Sequence, residues 1–271
     1  MRKTFLKVTV AFIALTVMVV ACKKQAKNEQ KANDISELTL SKIKVLGFST
    51  ENVIKRDGGY LVENDIFLST ADLDDVPSSP TLRIAEVEQY RTRRLVTSLP
   101  RVITVRVSGL GTAYVQGTDL AISRYNAENL QIQFQRVTSG GNIVIQGFSE
   151  GPSGGFITLG SSGFPTSSGN PYPQILMNTH PQAYGSNPNV NYVGSVIQHE
   201  IGHCIGFRHT DYMNRAYSCG SGGNEGAGSV GAIRIPGTPS GPDAASFMLA
   251  CSNGGNRTFN ANDRIALNYL Y

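Results

Sequence analysis

The chain has no lysine beyond Lys55, and from residue 95 onward its only basic side chains are arginines. Residues 1–94 carry 15 basic and 12 acidic side chains, and residues 95–271 carry 9 and 8. The pI near 8.9 therefore belongs to a polar N-terminal third. No clustered positive face is present, and nucleic acid is excluded as an expected partner. No apolar run approaches the roughly 20 residues that cross a bilayer. The run Val8–Val20 has thirteen, which suits the core of an export signal. The catalytic part also lacks a carboxylate-rich loop of the kind that holds calcium. Histidine is scarce, at four in 271 residues, and that scarcity makes the positions of the four informative.

Met1-Arg2-Lys3 and Lys7 precede the apolar run, which ends Val19-Val20-Ala21-Cys22. The small residue before Cys22 resembles a bacterial lipobox. The resemblance implies removal of residues 1–21, lipidation of Cys22 and attachment to a lipid bilayer. Lys23, where inner-membrane lipoproteins carry Asp, implies a bacterial outer-membrane lipoprotein or a surface location. Residues 22–33, charged and amide-rich, are too polar for a core and are expected to form a flexible tether.

Residues 34–94 mix short apolar stretches with acids and end in Arg91-Thr92-Arg93-Arg94. That cluster reads equally as a solvated charge run and as a site for a trypsin-like protease. Beyond it the pattern is regular. Ile103, Val105 and Val107 alternate with Val102, Thr104, Arg106 and Ser108, the period of a strand. Residues 117–130 follow with helical spacing. Strands are expected at Ile132–Val137, Ile143–Phe148, Phe156–Leu159 and Ile175–Met177, then a helix over Asn191–Gly206. The expected fold class is α+β or α/β, a mixed twisted sheet packed by helices. A catalytic domain is expected over residues 95–271.

The chemistry lies in His199-Glu200-Ile201-Gly202-His203-Cys204-Ile205-Gly206-Phe207-Arg208-His209. Side chains four apart share one face of a helix, so His199 and His203 can present two imidazoles to one ion. Glu200, the next residue along, can reach a bound water without ligating. Gly206 lets the helix stop and the chain turn, since glycine tolerates positive φ, and His209 can swing back as third ligand. Three protein ligands leave a corner open, the mark of a catalytic zinc site rather than a structural one. His180, the remaining histidine, is read as a loop or core residue.

This pattern, H-E-x-x-H-x-x-G-x-x-H, resembles the zinc motif of the metzincin peptidases. HEIGH followed by C-x-G-F-R-H resembles the bacterial dual-action HEIGH metallopeptidases. The resemblance implies a metzincin-like fold with an active-site helix, a Met-turn and a C-terminal helix. It also implies one catalytic Zn2+, Glu200 as general base, and protein or peptide substrates cut by a monomeric enzyme. Met248, in Ser246-Phe247-Met248, stands where the Met-turn belongs, ahead of a final helix over Asn262–Tyr271. Ala250 stands where some subgroups place a metal-binding Tyr, so no such ligand is expected. Thr210 follows the third His and matches none of the best-known subgroups, so their preferences do not transfer. Val62-Glu63-Asn64-Asp65-Ile66 resembles an astacin prosegment, whose aspartate fills the metal's open corner. It implies Asp65 as a latency ligand removed by cleavage after Arg94, while a plain surface turn fits the same residues.

Substrate is expected to add as a strand along Phe156–Leu159 or the chain just after it. The specificity pocket is expected between Arg208 and Met248. With Cys22 lipidated, Cys204, Cys219 and Cys251 allow three disulfide pairings. Cys219–Cys251 is favoured because it would tie the glycine-rich loop to the Met-turn. The rival reading is a zinc-containing surface lipoprotein that binds or adheres without proteolysis.

Overall fold

A computed structural model describes residues 35–74, 89–153, 155–227 and 230–271. The signal, Cys22 and the tether lie outside the described residues. No helix among the described residues is long and apolar enough to cross a membrane. The chain divides into two units after Glu37, and the sheet and helices belong to the second, Leu38–Tyr271, apart from Glu37 itself, which opens the first helix.

In chain order the elements are α1 (Glu37–Val45), β1 (Ile54–Arg56), β2 (Gly59–Val62), β3 (Ile66–Ser69), β4 (Tyr90–Arg91) and β5 (Arg101–Val107). Then come α2 (Thr112–Ala127), β6 (Ile132–Val137), β7 (Ile143–Phe148), β8 (Gly160–Ser162), β9 (Gln174–Asn178) and α3 (Pro181–Tyr184). The rest are α4 (Val190–Ile205), α5 (Ala216–Cys219), β10 (Ile233–Arg234) and α6 (Ala261–Leu270). Eight strands form one mixed sheet in the order β1-β2-β3-β8-β9-β7-β5-β6. β5 pairs in parallel with both β6 and β7, and β7 with β9. β8 runs antiparallel to β9. The alternation in β5 holds, with Ile103 and Val105 fully buried.

Two expectations need correction. The helix set at 117–130 begins at Thr112, because Gly111 in extended conformation starts it, and it stops at Ala127. The strand set at Phe156–Leu159 lies instead at Gly160–Ser162, and Phe156 makes only an isolated bridge to Ser153. β-Propensity favours Phe-Ile-Thr-Leu, but packing decides. A Cβ at position 160 would lie 2.9 Å from Glu200 Oε1, so only small residues let this strand pass the helix that carries Glu200.

β8 is also not an edge. β3 pairs with it in parallel through Ile66 and Ser162, and the Ser162 N–H donates to the Asp65 carbonyl at 3.0 Å. β2 and β3 form a hairpin whose register, Val62 opposite Ile66, leaves Glu63, Asn64 and Asp65 as a three-residue tip. Glu63 and Asn64 both adopt positive φ, which folds the tip back on itself. The hairpin has its own small core of Ile43, Leu46, Phe48, Val62, Ile66 and Leu68.

The 94/95 boundary does not coincide with a structural seam. Backbone bonds tie the Arg91-to-Arg94 cluster into the catalytic part, with Thr92 buried and Arg93 exposed. β4 pairs with β10, and the Thr92 N–H donates to the Gly206 carbonyl at 2.8 Å. Gln89 is buried, and its amide donates to Asp263 at 2.5 Å.

Asp263 also accepts from Ser246 Oγ and the Phe247 N–H, and it closes a capping box with Asn260 at the start of α6. Burial pushes its carboxyl up to about 6, against the pull of these donors. The folded chain therefore holds a proton at pH 4–6 that the unfolded chain has released. That contribution is complete below about pH 4 and lost as pH rises through 6. Asp263→Asn should flatten the stability profile across this window by about 2–3 kcal/mol relative to the unaltered chain, read by urea unfolding at stepped pH; parallel profiles would refute it.

Candidate metal centre and cleft

α4 carries two of the three motif histidines. Asn189 caps its start by accepting from the Asn191 and Tyr192 N–H groups, and Gly206 ends it at φ 112° in the left-handed region. Tyr271 Oη donates to the freed Ile205 carbonyl. The turn at Gly206 is tight: a Cβ there would lie 2.7 Å from Leu95 Cδ2 and 2.9 Å from the Arg94 carbonyl oxygen. Past the turn the chain reverses and brings His209 back towards the helix.

The three imidazoles converge. His203 Nε2 and His209 Nε2 are 3.1 Å apart, and one ring nitrogen of each histidine and an Asp65 carboxylate oxygen all lie within 4.8 Å of one another. Each outward nitrogen is engaged: His199 Nδ1 with the Phe247 carbonyl at 2.9 Å, His203 Nδ1 with the Phe207 carbonyl at 2.9 Å, and His209 Nδ1 with Glu225 at 2.7 Å. With Nδ1–H as donor in each ring, every Nε2 is the nitrogen left to face a metal ion. Burial, then the neighbouring His199 and His209, hold His203 well below its ordinary range, so it is a neutral donor. Burial would lower His209, but the Asp65 and Glu225 carboxylates on either side hold it well above its ordinary range, so an ion there would displace a proton. Three imidazoles at this spacing fit a zinc ion.

Asp65, at the hairpin tip, sits in front of the cluster. Its Oδ2 is 3.0 Å from His209 Nε2 and 3.6 Å from His199 Nε2. Burial would raise its carboxyl, but His209 and the bonds from both imidazoles outweigh that and hold it low. The plain surface turn is thereby ruled out, since Asp65 is buried.

Glu200 lies in the same cleft and is almost wholly buried. Ser162 Oγ donates to its Oε2 at 2.7 Å, with the Glu200 carbonyl as a second acceptor at 3.0 Å. Burial, then the Asp65 charge, hold Glu200 well above the usual carboxylate range. The Ser246–Met248 turn underlies the histidines. The Met248 carbonyl accepts from Thr210 N–H at 2.8 Å, and a Cβ on Gly202 would lie 2.5 Å from Met248 Sδ. His180 is not among the converging ligands: it caps α3, its Nδ1 accepting from the Gln182 N–H.

The cleft of about 370 Å3 is walled by α4 (Tyr192, Ser195, Val196), by the chain after the turn (Phe247, Leu249, Arg257) and by Phe156–Leu159, the stretch expected to meet the substrate. The expected pocket wall between Arg208 and Met248 is therefore misplaced for all but Phe247. That glycine-rich stretch instead passes behind His209, where Glu225 is buried. Cys219 and Cys251 form the disulfide, and Cys204 is a buried free thiol.

Glu225, Ser162 and Asp263 escaped sequence reasoning. Glu225 is sixteen residues from its histidine in a loop without periodicity, and nothing local distinguishes it. Ser162 sits in a run of small residues that carries no strand signal. Asp263 had a signal that could have found it, the Asn260-x-x-Asp263 capping pattern.

A sequence model of the dual-action HEIGH metallo-peptidase family matches residues 60–271, and the chain belongs to that family. It is a zinc peptidase. No curated protein sequence matches the chain. Among solved structures, myroilysin shares 16% identity at a TM-score of 0.43, covering 66% of this chain and 96% of its own. High choriolytic enzyme 1, a hatching enzyme zinc-protease of the medaka fish Oryzias latipes, shares 17% at 0.38, covering 62% and 88%. At these scores the likenesses add nothing to the family assignment.

Gly206→Ala should cost at least 1–2 kcal/mol, roughly the penalty for a side chain in the left-handed region, plus its clash with Leu95. Denaturant unfolding of the zinc-free chain would measure it, and an unshifted midpoint would show that the bend does not require glycine.

Proposed function

We propose that the chain is an exported endopeptidase, tethered to a bilayer through lipidated Cys22 and kept latent by Asp65. The observation that carries the reading is the convergence of three Nδ1-anchored imidazoles on one point beside Glu200. His199, His203 and His209 would hold the ion. When bound, zinc supplies Lewis acidity that polarises the scissile carbonyl and acidifies water. Glu200, steered by Ser162, takes the proton of the attacking water and returns it to the leaving amine. The substrate lies extended along β8, where its backbone groups pair with the strand.

Latency follows from the hairpin. Asp65 occupies the corner that the attacking water needs, and β3 occupies the strand edge that the substrate needs. Both come from residues 63–69, so one displacement clears both. The ties of Gln89 and Thr92 to Asp263 and Gly206 support a release cut before Gln89 rather than after Arg94. The N-terminal charge pattern and the Ala21-Cys22 junction support export and the anchor.

The purified chain should contain one zinc per molecule, and a chelator should abolish cleavage of an unfolded protein such as casein. Glu200→Ala should keep the zinc yet lose about a hundredfold or more in turnover; full turnover in that variant would refute the assignment. Asp65→Ala in the unprocessed chain should raise peptide cleavage well above that of the unaltered precursor. If it stays as inactive, the latency reading fails. A zinc-loaded, processed chain that cleaves no peptide would favour the non-proteolytic lipoprotein instead.

A further inference from the structure

We propose that Glu225 is a positioning residue for the third metal ligand, setting both the direction and the donor strength of His209. The inference rests on the three-histidine reading of the metal centre. His199 and His203 direct Nδ1–H at neutral backbone carbonyls. Among the three, only His209 directs it at a carboxylate, at 2.7 Å. A charged acceptor makes the shorter, stronger bond. It draws the Nδ1 proton outward and enriches the Nε2 lone pair, and such outer partners govern metal affinity.

The surroundings lock this carboxylate in place. Glu225 has no exposed side-chain surface, and its own N–H donates to the Tyr212 carbonyl at 2.7 Å. Arg208 Nη2 lies 3.3 Å from its Oε2, and Arg215 Nε 3.3 Å from its Oε1. Arg208 is itself fully buried, its guanidinium over the rings of Phe48 and Tyr212 at 5.0 and 5.6 Å, with Nη1 donating to the Gly231 carbonyl at 3.2 Å. A lone buried carboxylate would be costly, and two guanidiniums offset that cost. The arginine immediately before His209 thus holds the group that holds His209.

A second carboxylate provides a graded comparison. Glu63, from the hairpin tip, is equally buried. It accepts from the Ser49 N–H at 3.1 Å and comes within 3.9 Å of Arg208. Its described bonds include none to an Nδ1 atom of the three histidines. Glu63, Glu225 and His209 each offer an atom within 4.8 Å of the others, so loss of Glu63 acts on the His209 bond at one remove, through Glu225.

Zinc affinity, measured on full-length chains by competition with a chromophoric chelator, separates the alternatives. E225Q keeps an acceptor but loses the charge; E225D keeps the charge but withdraws it by one methylene. Each should bind zinc about tenfold or more weakly, with an unchanged circular dichroism spectrum in the zinc-free form, whereas E63Q, which leaves the Glu225–His209 bond in place, should weaken binding less than either. Unweakened binding in folded E225Q and E225D, or equal weakening in E63Q, would overturn the role of Glu225. An unaltered chain that takes up no zinc would overturn the three-histidine reading instead. Should the Glu225 variants not fold, the zinc-loaded unaltered chain still decides. The His209 Nδ1 proton should resonate further downfield than those of His199 and His203 in an imidazole proton–nitrogen correlation, and equal shifts would overturn the proposal.

Discussion

The site depends on which nitrogen of each imidazole faces inward. Three rings can surround one ion only if their outer nitrogens are tied elsewhere, and each tie comes from a different part of the chain. Phe247 belongs to the turn before α6, Phe207 to the bend after Gly206, and Glu225 to the glycine-rich loop. The rest of the fold serves these three acceptors. Asp263 fixes the first through Ser246 and Phe247, Thr92 braces the second through Gly206, and the two arginines fix the third. Spreading the supports this way makes the metal centre a readout of global folding. None of the three acceptors exists in a fragment containing the helix alone.

How much of this could be read from the chain depended on sequence distance. The histidine–glutamate motif and its glycine bend are contiguous, so helical geometry translates them directly into space. The period-2 strand at Arg101–Val107 was equally legible, because its alternation reflects one buried face. Contacts made across long separations left no such trace. Glu225 meets His209 across a loop of irregular backbone, and Gln89 meets Asp263 from 174 residues away. The error at Phe156–Leu159 has the same origin. Local propensity favoured four apolar and β-branched residues, while the space beside Glu200 admitted only glycine and serine. The basic cluster before residue 95 likewise gave no hint of its ties to the rest of the fold, because Thr92 within it is buried.

The hairpin shows how few residues can serve two purposes. Its tip projects Asp65 to the histidines, while the strand behind it borrows a place in the sheet. Tip and strand are held in fixed relation by the positive-φ pair Glu63-Asn64. The chemistry of the metal corner and the hydrogen bonding of the neighbouring strand are thereby coupled through a rigid turn.

β3 has a bearing on solubility as well. If β3 departs as the proposed latency requires, β8 loses the pairing of Ser162 with Ile66 and would offer its free edge to any passing chain, the condition under which sheets join edge to edge. On that reading the segment that silences the precursor would also be its protective cover during biosynthesis. A liberated form would trade that cover for a reactive margin, with crowding at high concentration as its natural hazard.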